Sequence, residues 1–133
     1  MNNLKNIRWK QRFQNFEKSF SLLEKFIAIE NPDEIARAGG IQFFEMTFEL
    51  AWKTLKDYLE NEKYITKTPR ETIKIAFQVG LISDGHEWMD GLDDRNITVH
   101  TYDEDIANAV ESRIREKYYP LLKKLHDKLK REC

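Results

Sequence analysis

The chain has 133 residues, of which 41% are hydrophobic and 34% are charged, and its formal net charge is -1 at pH 7. This length supports one hydrophobic core and is too short for two comfortable ones, so we predict a single domain over residues 1–133. A protein that depends on non-specific nucleic-acid binding is usually basic, so the overall charge argues against a large RNA-binding surface.

Two long amphipathic helices are predicted in the first half of the chain. Apolar residues at alternating steps of three and four predict a first helix from about Leu4 to Ile29, which Asn31-Pro32 ends. Residues 33–40 have room for one helical turn before Gly39-Gly40, and a second helix follows from about Ile41 to Glu62. Four aromatic residues here are expected to form core rather than a ligand-binding cage: Phe43, Phe44, Phe48 and Trp52.

The third predicted helix has the clearest start and stop signals. Thr68 is expected to be its N-cap, Pro69 occupies the first helical position and Glu71 completes a capping box. Gly80 is the expected stop, because glycine readily adopts the left-handed conformation that ends many helices. Three residues of this helix are expected to face the core: Ile73, Ala76 and Phe77.

Two more helices complete the predicted set. A fourth helix is expected from about Gly85 to Ile97, and a fifth from about Tyr102 to Arg131. Pro120 should kink the fifth helix because it has no N–H to donate, and a capping box from Thr101 to Glu104 should begin it. Strand-like alternation and internal repeats are absent from the sequence, which therefore predicts an all-α fold.

Charge is distributed unevenly along the second half of the chain. Between Leu81 and Asp105, eight acidic residues accompany one base, Arg95, whereas between Arg113 and Arg131 eight bases outnumber two acids. Such runs are typical of solvated helix faces. The alternative is a bipolar surface that contacts a partner or guides a nucleic acid, and the pattern by itself leaves both open.

Composition also limits the cellular setting and the metal chemistry. No apolar run approaches the roughly 20 residues of a membrane span, and the N-terminus lacks the apolar region of a secretory signal. The sole cysteine, Cys133, excludes an intrachain disulfide, so we expect a cytoplasmic protein without membrane association. Cysteine-type zinc sites lack ligands, and the acids Glu87, Asp93 and Asp94 match no defined cation-binding loop. We therefore expect neither a metal nor a cofactor.

The most informative segment is Arg95-Asn96-Ile97-Thr98-Val99-His100-Thr101-Tyr102, in the form R-x4-H-x-Y. An arginine stays protonated and can bind a phosphate through two parallel N–H groups. Imidazole transfers protons in both directions near neutral pH. Together, Arg95 and His100 could cleave a phosphodiester without a metal. The β-branched residues 97–99 weaken a helix, so we expect a break that brings both side chains to one concave corner.

The same segment also has a structural interpretation. Arg95 would then pair with Asp93 or Asp94, while His100 would pack in a helix junction and Tyr102 would fill space. The spacing alone does not separate the two interpretations. Two further histidines have no partner suggested by the sequence and are expected at the surface: His86 and His126.

The string R-N-x-x-x-H-x-Y resembles the signature of HEPN-domain proteins, and most of all their HepT-type branch, which is encoded beside a minimal nucleotidyltransferase. A second segment, from Phe43 to Lys56, is similar to the F-E-x-T-F-E-L-A-W-K-T-L-K helix of that branch. The two motifs together are specific, and the resemblance covers essentially the whole chain. One departure is Phe43, where the family pattern has Arg, and we expect it to alter a surface contact.

This resemblance implies an up-and-down four-helix bundle with an additional short helix, which forms a homodimer and assembles with the minimal nucleotidyltransferase. It also implies a metal-independent endoribonuclease in which His100 is general base or acid and Arg95 holds the phosphate of RNA. Asn96 matches the polar residue after the arginine and is expected to orient the phosphate or His100. Tyr102 matches the residue to which the nucleotidyltransferase transfers AMP, which would silence the toxin.

The sequence leaves two other functions open. The chain can be a non-catalytic subunit that presents substrate or nucleotide to the nucleotidyltransferase, or a helical interaction module without a site. RNA cleavage by the purified protein, abolished by His100→Ala, would distinguish the nuclease from both.

Overall fold

The computed structural model describes residues 3–100 and 102–133, which form α-helices, one π-helical turn and no strand. The elements are α1 (Asn3–Ile27), α2 (Glu34–Asn61), α3 (Pro69–Gln78), α4 (Gly85–His100), α5 (Glu104–Arg113), the π turn (Ile114–Tyr118) and α6 (Tyr119–Lys130). α5, the π turn and α6 follow one another without a loop. With α1, α2 and α4 they make a four-helix bundle to which α3 is the short addition, so the predicted all-α bundle is confirmed. Within the described ranges, no helix is long and apolar enough to cross a bilayer.

Aromatic packing joins α1 to α2 and to α6. Most of the predicted apolar stripe of α1 is buried, namely Phe13, Phe16, Phe20 and Leu23, while its last member, Ile27, is partly buried. Trp9, one step earlier on the same helix, is buried as well. Trp9 lies edge-on to Tyr58 of α2, with 5.0 Å between the ring centroids, and Phe20 stacks on Tyr119 of α6 at 5.5 Å. Because burying one large apolar side chain stabilises a protein by roughly 1.5–3 kcal/mol, this stripe anchors the bundle.

α2 begins earlier than the sequence predicted. It starts at Glu34 rather than near Ile41 and passes through the two glycines that were expected to precede it. Asp33 is the N-cap, since its Oδ1 accepts a backbone N–H of the first turn at 2.8 Å. A Cβ at Gly40 would lie only 2.4 Å from the ring of Phe26. Glycine therefore permits close packing of α1 on α2, which outweighs its low helix propensity.

The aromatic residues of α2 belong to the core, as predicted. Phe44, Phe48 and Trp52 are buried, and Phe43 is partly buried and packs against the same core. Phe48 also contacts α4 closely, because a Cβ at Gly91 would lie 2.7 Å from its ring. A glycine in the middle of α4 is thus required by the approach of α2.

The predicted boundaries of α3 are confirmed. Thr68 Oγ1 accepts the backbone N–H of Glu71 at 3.1 Å, and the Glu71 carboxylate accepts that of Lys67 at 2.8 Å. α3 ends at Gln78, and Gly80 follows with a φ of 82°. The local capping signals alone were sufficient here because every partner lies within a few residues.

The prediction that Phe77 faces the core is wrong. Phe77 is 52% exposed, whereas Ile73 and Ala76 are buried as expected. Its ring lies on the outside of α3 beside Gly85, where an added Cβ would be 3.0 Å away. Successive helical residues point about 100° apart, so Phe77 does not share the inward direction of Ala76.

α4 continues through the segment where a break was predicted. It runs from Gly85 to His100, and within it Thr98 Oγ1 donates to the backbone carbonyl of Arg95 at 3.2 Å. Ile97 and Val99 are 45% and 48% exposed, so their branched side chains project away from the core. β-Branched residues lower helix propensity by only about 0.5 kcal/mol each, which the packing of α4 outweighs.

The fifth predicted helix is divided by the π turn. α5 begins after Asp103, whose Oδ1 accepts two backbone N–H groups of the first turn at 2.9 and 3.2 Å. Tyr102 therefore precedes the N-cap and does not occupy the first helical position, while Thr101 of the predicted capping box lies outside the described residues. The kink expected at Pro120 stays a prediction, and the irregularity that the structure shows is the π turn just before it.

The acidic and basic runs bind each other across a helix interface. Three pairs join α4 and the loop before it to the C-terminal segment, at 3.5, 2.9 and 2.6 Å: Asp84–Lys124, Asp90–Lys117 and Asp94–Arg113. These charges are therefore neither purely solvated nor a free bipolar surface. Their pairing also reduces the negative charge near Arg95.

The prediction that His126 lies at the surface is wrong, whereas His86 is exposed as expected. The His126 ring stacks on Phe13 and Phe20, with centroid distances of 5.5 and 5.1 Å. Its Nε2 lies 2.7 Å from Glu17 Oε2. All three partners belong to α1, at the other end of the chain, so no local pattern could indicate them.

Candidate functional site

Arg95 of α4 is held from two sides. Its Nη2 donates to Oε2 of Glu49 in α2 at 2.6 Å, and its Nη1 donates to Oδ1 of the adjacent Asn96 at 3.0 Å. The side chain remains 25% exposed. The guanidinium is therefore oriented by α2 while part of it stays in reach of solvent.

Glu49 is itself fixed by its neighbours on α2. Its Oε2 also accepts the indole N–H of Trp52 at 2.9 Å, and its Oε1 lies 3.1 Å from Nζ of Lys53. Burial acts to raise the pKa of Glu49, but the hydrogen bonds from Trp52 and Lys53 and the charge of Arg95 outweigh it and lower that pKa below its ordinary value. Glu49 is thus a carboxylate at neutral pH.

The guanidinium of Arg95 retains N–H groups that nothing in the described ranges uses. Its Nε is buried and has no hydrogen-bond partner among the described residues. Nη1 and Nη2 carry two hydrogens each, and each nitrogen makes one of the bonds above. One N–H on each of Nη1 and Nη2 therefore stays unused while Glu49 and Asn96 keep their bonds, and an oxyanion is the acceptor that a guanidinium binds best.

His100 is the last residue of α4 and is exposed. Residues five apart on a continuous helix point roughly 140° away from each other around its axis. Arg95 and His100 therefore do not converge within one copy of the chain. The concave corner that the sequence predicted is wrong, because it depended on a break that α4 does not contain.

Tyr102 follows α4 and is 55% exposed. It borders a small pocket between α2, α4 and α5, which is otherwise lined by Ile41, Thr98, Asp103, Ile106 and Ala107. An enzyme could reach its phenol without unfolding the bundle. Arg95 and His100 thus lie in the last turns of α4 on different faces, and Tyr102 follows just beyond its end.

The structural interpretation proposed an aspartate partner for the motif arginine, and both candidates bind other residues. Asp93 pairs with Arg70 of α3 at 3.0 Å. Asp94 is buried, and it accepts Nε and Nη2 of Arg113 at 2.6 and 3.0 Å and the hydroxyl of Tyr118 at 2.5 Å. Burial and this hydrogen bond to Asp94 raise the pKa of Tyr118. Asp94 therefore anchors the π turn to α4.

Sequence reasoning missed Glu49 as part of the site. The residue lies inside the second motif, from Phe43 to Lys56, which drew attention only as a family resemblance. Its contact with Arg95 spans 46 residues of sequence, so periodicity and spacing could not reveal it. The signal that could have found it is the presence of two motifs in one chain, since functional residues from separate helices often meet.

Glu87, Asp93 and Asp94 do not form a metal site. Residues 3–100 and 102–133 contain no group of three or more His, Cys, Asp or Glu side chains that could hold an ion. Two of the three acids instead bind arginines, and this neutralises their charge.

Comparison with known proteins identifies a family. The protein-family model described as "Nucleotidyltransferase substrate binding protein like" matches residues 11–131. A probable ribonuclease HepT from Haemophilus influenzae is 38% identical to this chain, over 58% of the chain and 56% of the relative. A crystal structure of a protein from Thermus thermophilus matches with a TM-score of 0.80 and 35% identity, over 86% of this chain and 98% of that chain.

These matches differ in extent. The sequence match spans little more than half the length of the HepT relative, whereas the structural match spans nearly all of the Thermus protein. The family model covers residues 43–56 and 95–102 together. The chain therefore belongs to the nucleotidyltransferase substrate binding protein-like family and is a HepT-like member of the HEPN proteins.

Proposed function

We propose that this chain is a HepT-type toxin that cleaves RNA without a metal and is silenced when a nucleotidyltransferase partner transfers AMP to Tyr102. One observation carries the proposal: a guanidinium with unused N–H groups, an exposed imidazole and an exposed phenol lie at the same end of α4. The relative named as a probable ribonuclease supports the activity, and the family description supports the partner.

The proposed cleavage uses His100 and Arg95 in separate roles. His100 removes the proton from a ribose 2′-OH, whose oxygen attacks the adjacent phosphorus while the bond to the 5′-oxygen breaks. The departing 5′-oxygen takes up a proton, which leaves a 2′,3′-cyclic phosphate and a 5′-OH. The unused N–H groups of Arg95 stabilise the charge that develops on the phosphate, and Asn96 keeps the guanidinium oriented.

A second copy of the chain would complete the site. Arg95 and His100 point apart on one continuous α4, so one copy cannot easily place both on a single phosphate. In a homodimer that pairs the two α4 helices, Arg95 of one copy and His100 of the other can meet at the same phosphate. The exposed apolar side chains of Ile97 and Val99 give the last turns of α4 a surface that such pairing would cover.

RNA cleavage by the purified protein tests the proposed activity. His100→Ala should lower the rate by about 100-fold or more, the usual contribution of a general base, in buffer that contains a chelator. The matched control is His86→Ala, because His86 is an exposed histidine of the same helix. The nuclease proposal is abandoned if wild type leaves RNA intact, or if the two variants cut it equally well.

AMP transfer to Tyr102 is tested by weighing the intact protein after co-expression with the nucleotidyltransferase. In the proposed step, the phenol oxygen of Tyr102 bonds to the α-phosphorus of ATP, pyrophosphate leaves and the phenolic proton passes to a base. Wild type should gain the mass of one or more AMP groups, and Tyr102→Phe should gain none. Tyr64→Phe is the control, since Tyr64 is also exposed, at 46%. Equal labelling of both variants contradicts the assignment.

The second candidate is a non-catalytic subunit that presents substrate or nucleotide to the nucleotidyltransferase. The family to which this chain belongs is described as substrate binding, and this description favours the second candidate specifically. It predicts that the chain binds nucleotide or raises the activity of the partner while RNA stays intact. Measuring both activities on one preparation separates the two candidates.

A further inference from the structure

The ion pair between Glu49 and Arg95 is part of a hydrogen-bonded chain that crosses from α2 to α4. Trp52, which is buried, donates to Glu49, and Arg95 donates both to Glu49 and to Asn96. Trp52 therefore holds the carboxylate in place independently of the guanidinium. Such prior positioning is what a group needs if it is to orient another group accurately.

A second arginine of the chain shows how a structural ion pair looks here. Arg113 binds both carboxylate oxygens of Asp94, through the parallel N–H groups of Nε and Nη2 on one side of the guanidinium. Arg95 binds Glu49 through Nη2 alone, and its Nε stays buried without a partner in the described part of the chain. An unsatisfied buried donor is costly, and such groups in native structures call for a specific explanation.

Holding α2 against α4 does not explain this incomplete pair. Phe48 already packs against Trp88 at 5.5 Å and lies in the gap left by Gly91. A partly exposed ion pair adds little to such an interface. The geometry instead suits a guanidinium that keeps one N–H on each Nη atom for a ligand, while the buried Nε is out of a ligand's reach.

We propose that Glu49 is a positioning residue of the R-x4-H site, which holds Arg95 in the orientation that binds a phosphate diester and limits the strength of that binding by its negative charge. This inference rests on the proposed function, because it assigns a phosphate to Arg95. It adds a residue from the second motif to a site that the first motif defines.

The two roles predict opposite effects for two substitutions. Glu49→Gln keeps an oxygen that can accept a hydrogen bond from Arg95 but removes the charge, so phosphate should bind about two- to fivefold more tightly, the size expected for a partly exposed ion pair. Glu49→Ala removes the acceptor as well, so Arg95 loses its orientation and kcat for RNA should fall by about 10- to 100-fold. If Glu49 had only a structural role, both substitutions would lower the melting temperature. They would not change KM and kcat for RNA in different ways.

The experiment uses a fluorescent single-stranded DNA oligonucleotide, which lacks the 2′-OH and cannot be cut by the proposed chemistry. Its dissociation constant is measured for wild type, Glu49→Gln, Arg95→Ala and the double variant. Glu60→Gln is the matched control, since Glu60 also lies on α2 and pairs with Arg8 of α1 at the far end of the helix. The indole N–H resonance of Trp52 reports whether its contact with Glu49 has changed.

Tighter binding by Glu49→Gln that disappears when Arg95 is alanine supports the inference, as does a shift of the Trp52 resonance in Arg95→Ala. The inference is overturned if Glu49→Gln and Glu60→Gln bind the oligonucleotide equally, or if the effect persists without Arg95. These outcomes do not depend on RNA cleavage, so the inference can fail while the nuclease stands, and the nuclease can fail while Glu49 still controls Arg95.

Discussion

Glu49 and Arg95 join the two sequence motifs of this chain, with 2.6 Å between Oε2 of the carboxylate and Nη2 of the guanidinium. One residue belongs to α2 and the other to α4, and Trp52 and Asn96 extend the contact on either side. The arginine that the R-x4-H pattern marks as the phosphate ligand is therefore already oriented by a carboxylate. His100, the other marked residue, lies exposed at the end of α4 and faces another direction.

The adjacent glycines of α2 should respond in opposite ways to alanine. Gly40→Ala places a Cβ 2.4 Å from the Phe26 ring, so we expect it to destabilise the protein by about 1–3 kcal/mol. Gly39→Ala meets no atom within 4 Å and should stabilise the helix by about 0.5–1 kcal/mol. Urea denaturation followed by tryptophan fluorescence gives both values, and equal effects would show that close packing is not what Gly40 provides.

The buried carboxylate of Asp94 should be the most sensitive polar group of the bundle. Asp94→Asn removes the charge that Arg113 binds and weakens the acceptor of the Tyr118 hydroxyl, which should cost about 2–3 kcal/mol. The expected cost is below that of a wholly buried pair because the Arg113 side chain is 41% exposed. Tyr118→Phe removes one hydrogen bond and should cost about 1 kcal/mol in the same denaturation experiment. A larger loss from Tyr118→Phe than from Asp94→Asn would contradict this order.

Replacing Lys63, whose backbone is in the left-handed conformation just after α2, with glycine should make the protein more stable. Lys63 has a φ of 73°, and the next residue, Tyr64, donates its backbone N–H to Leu59 at 2.8 Å in a C-terminal capping arrangement. Because a side chain in this conformation is strained, Lys63→Gly should stabilise the protein by about 1 kcal/mol. The converse change, Gly80→Ala at a φ of 82°, should destabilise it by a similar amount. Melting temperatures that move in the same direction for both variants would refute the explanation.

Stability should fall in acid partly through Glu111, which lies between two arginines. Arg37 and Arg115 donate to its carboxylate at 2.7 and 2.8 Å. Burial acts to raise the pKa of Glu111, but these two hydrogen bonds and charges outweigh it and lower that pKa below its ordinary value. A carboxyl with a lowered folded-state pKa stabilises the fold fully above its unfolded value, and this contribution is lost as the pH falls through the folded value.

We therefore expect Glu111→Gln to be less stable than wild type at pH 7, with the difference shrinking below about pH 4.5. Urea denaturation across that range measures it. The exposed Glu30 supplies the control, and Glu30→Gln should change stability little at either pH. A difference between wild type and Glu111→Gln that stays constant with pH would exclude this linkage.

Local signals in the sequence were sufficient wherever both partners lie close together in the chain. Thr68 and Glu71 cap α3 as predicted, and Gly80 ends it, because each capping bond joins residues a few positions apart. The amphipathic character of α1 and the core position of the α2 aromatics were also predicted correctly, since helical periodicity alone determines which residues share a face. The R-x4-H-x-Y pattern identified the end of α4 where the candidate site lies.

Long-range packing decided what the sequence could not. Gly40 lies inside a helix because Phe26 of another helix fills the space beside it, and α4 continues through its β-branched residues because its inner face is held by α2 and the C-terminal segment. The pairing of Glu49 with Arg95 depends in the same way on how two helices approach. The sequence determined the helices and the residue types of the site, because propensity and periodicity act within a few turns. Only the tertiary structure decided their directions and partners, because those follow from contacts between residues far apart in the chain.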